Sequence, residues 1–298
     1  MNHLGSTDET GSRDIGERPS VEGFSSQWLT LREPVDLRSR NRAVSDALRA
    51  QFADYGDIDI VDIGCGTGAN LRATAPLLGA RQTWTLIDND PVLLHAAEVA
   101  LIAWADSATR TADGLTLDKP GQRITVRFRR VDLIRDLDQA IGDKPDLITG
   151  SAFFDLVSPS FIERFAKAAS ERNAAVYAVL TYNGICSWTP PQRADEWIQR
   201  AFNTHQATDK GFGPAAGPLA PELLGQALGA ANYRIECGDS HWRLGQGDDA
   251  LLSELIAGIS TAVVDTGLMD QGAVATWRGG PRLGGLIGHI DTLGLPPR

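Results

Sequence analysis

With 298 residues and an apolar share of 42%, the chain is long enough to bury a sizeable core as one large globular domain. Acidic side chains outnumber basic ones by 38 to 28, a formal net charge of -10, so the average surface repels phosphate backbones, and no basic run argues for nucleic acid as a partner. The three cysteines, Cys65, Cys186 and Cys237, form neither a C-x-x-C pair nor a His/Cys cluster, and neither an 18-residue apolar run nor a basic-then-apolar leader occurs. No metal, no disulfide framework, no membrane and a cytoplasmic location are the expectations.

Residues 1 to about 22 are rich in Gly, Ser, Thr, Asp and Glu and are expected to be a disordered tail, leaving a single domain over 23–298. The apolar spacing then predicts one helix over Phe24–Glu33, ending before Pro34, and a second from Pro34 to about Phe52 that buries Val44, Leu48 and Phe52. Ile58, Ile60, Val61 and Ile63 make a first buried strand. It runs into Gly64-Cys65-Gly66-Thr67-Gly68, where bare backbone can turn tightly and approach a ligand, and a helix starts near Asn70. The free N–H groups of that helix would face a polar or anionic group.

Thr83–Asp88 reads as a second strand with an acid at its carboxyl end, followed by a buried helix from Pro91 to Trp104. Residues 105–122 read as a polar connection with turn signals at Asp113-Gly114 and Pro120-Gly121. A third strand, Ile124–Val131, ends in Asp132-Leu133. A short helix around Leu137–Ile141 leads to a fourth strand, Asp146–Ser151. Ser158 and Pro159 start the next helix, and a fifth strand, Val176–Tyr182, ends at Asn183-Gly184. Beyond it come a helix after Pro190-Pro191, a Gly- and Pro-rich loop through Lys210, a helix over Pro221–Ala231 and a sixth strand, Tyr233–Cys237. Helical stretches over Asp248–Val264 and Ala273–Trp277 precede a last, antiparallel strand, Leu286–Asp291.

Gly64-x-Gly66-x-x-Ala69 satisfies the loose dinucleotide fingerprint, which leaves an NAD(P)-dependent oxidoreductase as an alternative. The whole run Asp62-x-Gly64-x-Gly66-x-Gly68 resembles motif I of the class I S-adenosylmethionine-dependent methyltransferases. An acid two residues before the first glycine would oppose a pyrophosphate and suits a ligand that ends in an ammonium group. Asp88, Asp132-Leu133 and the strand ending at Ser151 resemble that family's later motifs, in its order. The resemblance implies a Rossmann-like α/β fold, seven mostly parallel strands in the order 3-2-1-4-5-7-6 with helices on both faces. To this fold are added an N-terminal helical lid (about 24–52) and helical insertions (about 190–215 and 248–278). It also implies S-adenosylmethionine as cofactor, S-adenosylhomocysteine as product, and Asp62, Gly64, Cys65, Gly66, Gly68, Asp88, Asn89, Asp132, Leu133 and Ser151 as cofactor-binding positions.

Methyl transfer from a sulfonium is a direct displacement, so the protein must chiefly align the reactants, and a base is needed only when the acceptor sheds a proton. Asp155, His205 and Tyr182 are the candidates for that base, and Trp28, Arg32, Phe153, Asn183 and Lys210 are candidates for the acceptor side. The Asn/Asp-Pro-Pro-Tyr run of amino-directed nucleic-acid methyltransferases is absent after the fourth strand, and there is no Pro-Cys dipeptide. A small-molecule acceptor is therefore expected. A non-catalytic module that retains the fold is the remaining alternative.

Overall fold

The structure, a computed structural model, describes residues 25–297; the segment expected to be a disordered tail lies outside them. Helix α1 (Ser26–Ser39) is capped by the Ser25 hydroxyl, which accepts from the Trp28 N–H at 3.1 Å, and it runs through Pro34 without ending. A proline inside a helix removes one backbone hydrogen bond and crowds the preceding turn, a cost of about 3 kcal/mol. Here that loss is offset by packing, because Arg32 and Val35 are buried on the same inner face. The break falls instead at Arg40. Asn41 then caps α2 (Arg42–Gln51) by accepting from the Val44 N–H, while its own N–H donates to Asp291 at 2.8 Å.

Strand β1 (Asp57–Ile63), the short helix α3 (Ala69–Thr74), β2 (Arg81–Asp88) and α4 (Pro91–Trp104) follow as expected, α4 with Asp90 as its cap and Pro91 in its first turn. The expected polar connection is in fact a hairpin, β3 (Ser107–Thr111) and β4 (Gly114–Lys119). Leu115 and Leu117 alternate with Thr116 and bury completely against the sheet edge, which outweighs the polar character of the segment. Next come β5 (Gln122–Arg130), α5 (Leu133–Ile141), β6 (Leu147–Ser151), α6 (Pro159–Glu171) and β7 (Ala175–Thr189). The chain continues through α7 (Asp195–Gln206), α8 (Ala220–Ala230), β8 (Arg234–Asp239), β9 (Trp242–Leu244), α9 (Asp249–Asp265), α10 (Gln271–Arg278) and β10 (Gly284–Leu295).

The sheet order is β3-β4-β5-β2-β1-β6-β7-β10-β8, with β9 paired to β10. From β5 to β7 the pairs are parallel, and β10 lies antiparallel between β7 and β8. Setting aside the edge hairpin and β9, the order is the expected 3-2-1-4-5-7-6; the sheet has ten strands because those three are added to it. Apolar clusters fill both faces, one around Ile63, Ile148 and Phe165 and the other around Ile60, Trp84 and Leu86.

β7 and β10 run 15 and 12 residues and project past β6 and β8, pairing with each other over the projecting ends. A third cluster, with Trp188, Ile198, Ile256 and Trp277, fastens α7, α9 and α10 to those projecting ends. The helical insertions are thereby held above the carboxyl ends of the parallel strands, where open α/β sheets place their ligands. Among the described residues no helix is long and apolar enough to cross a membrane.

Candidate active site

The floor of the site is backbone. Gly64, Gly66 and Gly68 have φ of 62°, 51° and 74°, a region that costs a residue with a Cβ about 1–2 kcal/mol. Space is tight as well: a Cβ on Gly64 would lie 2.6 Å from the Phe153 ring, and one on Gly66 would lie 3.0 Å from Leu29 of α1. The turn is tied to β2 by the Cys65 N–H, which donates to the Ile87 carbonyl at 2.9 Å, and by the Gly66 N–H, which donates to Asp88 Oδ2 at 2.9 Å. Asp88 Oδ1 accepts from the Asp90 N–H at 3.0 Å. Burial raises the Asp88 carboxyl above its ordinary pKa, against the pull of these N–H groups.

Above this floor lies a cavity of about 710 Å³, within the usual range for small-molecule sites. Gly64, Asp88, Asn89, Asp132 and Leu133 line one end. Phe153, Asp155 and Tyr182 line it as well, with Trp28 and Arg32 of α1 and with His205 and Lys210. Of the segment expected to form a lid, α1 brings Trp28 and Arg32 to the cavity, and it is locked to α3 by Arg72, whose guanidinium donates to Glu33 at 2.6 and 2.7 Å.

Other expected residues do not reach the cavity wall. Asp62 is fully buried behind the turn: Oδ1 accepts from Asn70 Nδ2 at 2.7 Å, Oδ2 has no partner, and burial pushes its pKa up to about 7. Asp62 thus does not line the cavity: Asn70 on α3 holds one of its oxygens, and the other has no protein partner. Cys65 is buried with its thiol pushed up by burial, which suits a packing role. Gly66, Gly68 and Ser151 shape the turn and the end of β6 without lining the space. Asn183 turns back on its own strand, where Oδ1 accepts from the Ile185 N–H at 3.2 Å.

Of the three candidate bases, Asp155 is the one with a buried polar atom that has no partner. It is 6% exposed, Oδ1 has no partner, and burial pushes its pKa up to about 6 while Arg32 pulls it back. The Tyr182 hydroxyl donates to Asn203 Oδ1 at 2.8 Å and burial raises its pKa, so Tyr182 presents a ring rather than an acid. His205 stands at the rim beside Lys210, and burial and that ammonium both lower its pKa. The Lys210 ammonium is itself spent on the His205 carbonyl at 3.1 Å and Thr208 Oγ1 at 2.9 Å.

Two residues that motif reading does not single out complete the inner end. Trp242 of β9 stacks under Arg32, with the guanidinium carbon 4.9 Å from its ring centre, and donates from Nε1 to Asp36 at 2.9 Å. Asp36 also takes Arg32 Nε at 2.8 Å and Nη2 at 3.1 Å. His289 of β10 is buried, Nδ1 has no partner, and burial together with Arg32 pushes its pKa down to about 3, so it is neutral. Leu180 lines the same space at φ 54°, a strained conformation that Asp291 holds by accepting the Leu180 N–H at 2.8 Å. The only sequence sign of His289 was a histidine inside an apolar strand.

No family model matches the sequence, and no curated protein matches it. Solved structures of similar fold include a cyclopropane synthase from Mycobacterium tuberculosis, at 13% identity and TM-score 0.47, covering 85% of this chain and 83% of that one. Another is a cyclopropane-fatty-acyl-phospholipid synthase-like protein from Lactobacillus casei, at 16% identity and TM-score 0.47, covering 89% and 99%. A third is magnesium protoporphyrin IX methyltransferase from Synechocystis with bound SAH, at 12% identity and TM-score 0.44, covering 91% and 83%. The strand order and the antiparallel β10, read from the chain itself, decide the architecture. The fold is that of the class I methyltransferases.

Proposed function

We propose that the chain is an S-adenosylmethionine-dependent methyltransferase that acts on a small molecule. The observation that carries this reading is Asp88. Each of its carboxylate oxygens accepts one backbone N–H, and each keeps a further lone pair at the wall of the cavity. Two acceptors fixed side by side at the end of β2 suit the vicinal hydroxyls of a ribose. A carboxylate already committed to the N–H of the glycine turn also disfavours a diphosphate at that place. Asp132 and Leu133, at the mouth of α5, would flank the base of an adenosine, and Gly64 would lie under the ribose-to-sulfur link.

The sulfonium supplies an activated methyl group. The chain's own part is to align and to exclude water: α1 covers the glycine turn through Leu29, and Phe153 packs over Gly64. Asp155, a cavity-lining carboxylate whose Oδ1 has no protein partner, is the residue to which we assign removal of an acceptor's proton. The reading is tested by thermal shift. S-adenosylhomocysteine should raise the melting temperature and NADP should not; stabilisation by NADP alone would replace it with the oxidoreductase reading.

A further inference from the structure

Building on the methyl-transfer reading, we propose that the inner end of the cavity is the acceptor subsite. It takes a flat, uncharged molecule bearing a phenolic hydroxyl, which passes beneath Gly258 of α9 and gives its proton to Asp155.

Shape comes first. Trp28, Phe202 and Trp242 supply flat walls, and α9 contributes Leu255, Gly258, Ile259 and Ala262 from one helical face. Gly258 sits in the middle of that helix with ordinary helical backbone, so no turn requires a glycine there. It costs the helix about 1 kcal/mol against alanine, and an added Cβ would meet nothing within 4 Å. The missing side chain leaves a slot that opens into the cavity, of a kind suited to the edge of a ring.

Charge comes next. Arg32 acts on both Asp155 and His289, and Glu254 and Lys210 also line the cavity, so charges of both signs face an acceptor. The same guanidinium is already matched by Asp36 and stacked on Trp242, which leaves little to hold an anion beside the Asp155 carboxylate. A neutral acceptor is the one that neither group repels. The buried Asp155 Oδ1 and His289 Nδ1, both without protein partners, are unfilled hydrogen-bonding positions beside it.

Proton affinity then selects the kind of hydroxyl. A carboxylate with a pKa of about 6 is about four orders of magnitude short of a phenol near 10. Against an aliphatic hydroxyl near the 15.7 of water the shortfall is about ten orders. In the step, the phenol O–H bond breaks and its proton passes to Asp155. The oxygen forms a bond to the methyl carbon as the carbon–sulfur bond breaks, and that electron pair returns to sulfur, leaving a neutral thioether.

The experiment is calorimetric binding of four probes of one shape: 2-naphthol, 2-naphthalenemethanol, 2-naphthoate and 2-(aminomethyl)naphthalene. Each is titrated into the protein with and without S-adenosylhomocysteine. We expect 2-naphthol to bind at least about tenfold more tightly than the charged pair, and to be the one probe of the four that is methylated when S-adenosylmethionine is supplied. Gly258→Trp should remove 2-naphthol binding and leave S-adenosylhomocysteine binding unchanged. Gly258→Ala, the control for folding, should raise the melting temperature and weaken 2-naphthol less. Tighter binding of the amine or the carboxylate, methylation of 2-naphthalenemethanol at a comparable rate, or full 2-naphthol affinity in Gly258→Trp would overturn the inference alone. Absence of any heat with S-adenosylhomocysteine would overturn the cofactor reading and this inference with it.

Discussion

The floor of the cavity is made of backbone turns at the ends of β1, β2 and β5, whereas its inner end is made of side chains from α1, β7, β9, α9 and β10. The floor uses neighbours in sequence: Gly64 to Gly68 are one turn, and Asp88 is fixed by N–H groups of that turn and of its own strand end. The inner end joins Arg32 near one terminus to His289 near the other, with Asp155, Tyr182 and Trp242 between. A floor of this kind can hold one ligand in many proteins. The inner end can be rebuilt without disturbing it.

That contrast is sharpened most by the substitution with the largest expected effect. Asp155→Asn should lower turnover of a phenolic acceptor by about 10²–10⁴-fold, the usual contribution of a positioned base. Affinity for S-adenosylhomocysteine should stay unchanged. Asp88→Ala should do the reverse. With two hydrogen bonds to a charged group at about 1.5–3 kcal/mol each, S-adenosylhomocysteine affinity in titration calorimetry should fall by about 100-fold or more. Equal damage to both functions by either change would erase the division between floor and inner end.

A smaller effect is expected from pH. Asp155 must be ionised to take a proton, so kcat/KM should fall about tenfold per pH unit below a midpoint near 6 and level off above it. Against burial, the charge of Arg32 from α1 and the backbone of Tyr182 from β7 both favour the ionised Asp155. Because Arg32 favours the ionised form, Arg32→Gln should move the midpoint upward. A pH profile unchanged by that substitution would remove Arg32 from the site's electrostatics.

The mildest change is Asp62→Asn. Asp62 lies behind the turn, so S-adenosylhomocysteine affinity should shift by less than about threefold, roughly 0.7 kcal/mol. Its folded pKa of about 7 stands above the ordinary 3.8, so the folded chain holds a proton that the unfolded chain releases. That contribution to stability is present below the unfolded value and lost as pH rises through about 7. Asp62→Asn should therefore raise the melting temperature at about pH 8, with the gain shrinking as pH is lowered toward 4.

The floor was legible in the sequence for the same reason that it is robust. Glycines at alternate positions and acids at strand ends are local signals, and the alternation of buried strands and helices is periodic. Local signals also misled. Pro34 looked like a helix end, yet burial of Arg32 and Val35 carries α1 past it to Ser39. The hairpin at β3 and β4 was hidden because β3 is fully exposed and polar, and only Leu115-Thr116-Leu117 showed the period of two. Asp62 carried the ligand argument from sequence, but it lies off the cavity wall, with one oxygen held by Asn70, eight residues on. Trp242 and His289 carry no motif. They become neighbours only when β9 and β10 pair and α1 folds across them, a consequence of topology that no short window contains.

The central claim is that this floor holds a sulfur-linked adenosine ligand through Asp88. Titration calorimetry of S-adenosylhomocysteine into the wild-type chain and into Asp88→Ala tests it most directly. The account predicts one molecule bound per chain, with the heat lost in the variant. No heat with the wild-type chain, or equal heat with Asp88→Ala, would contradict it.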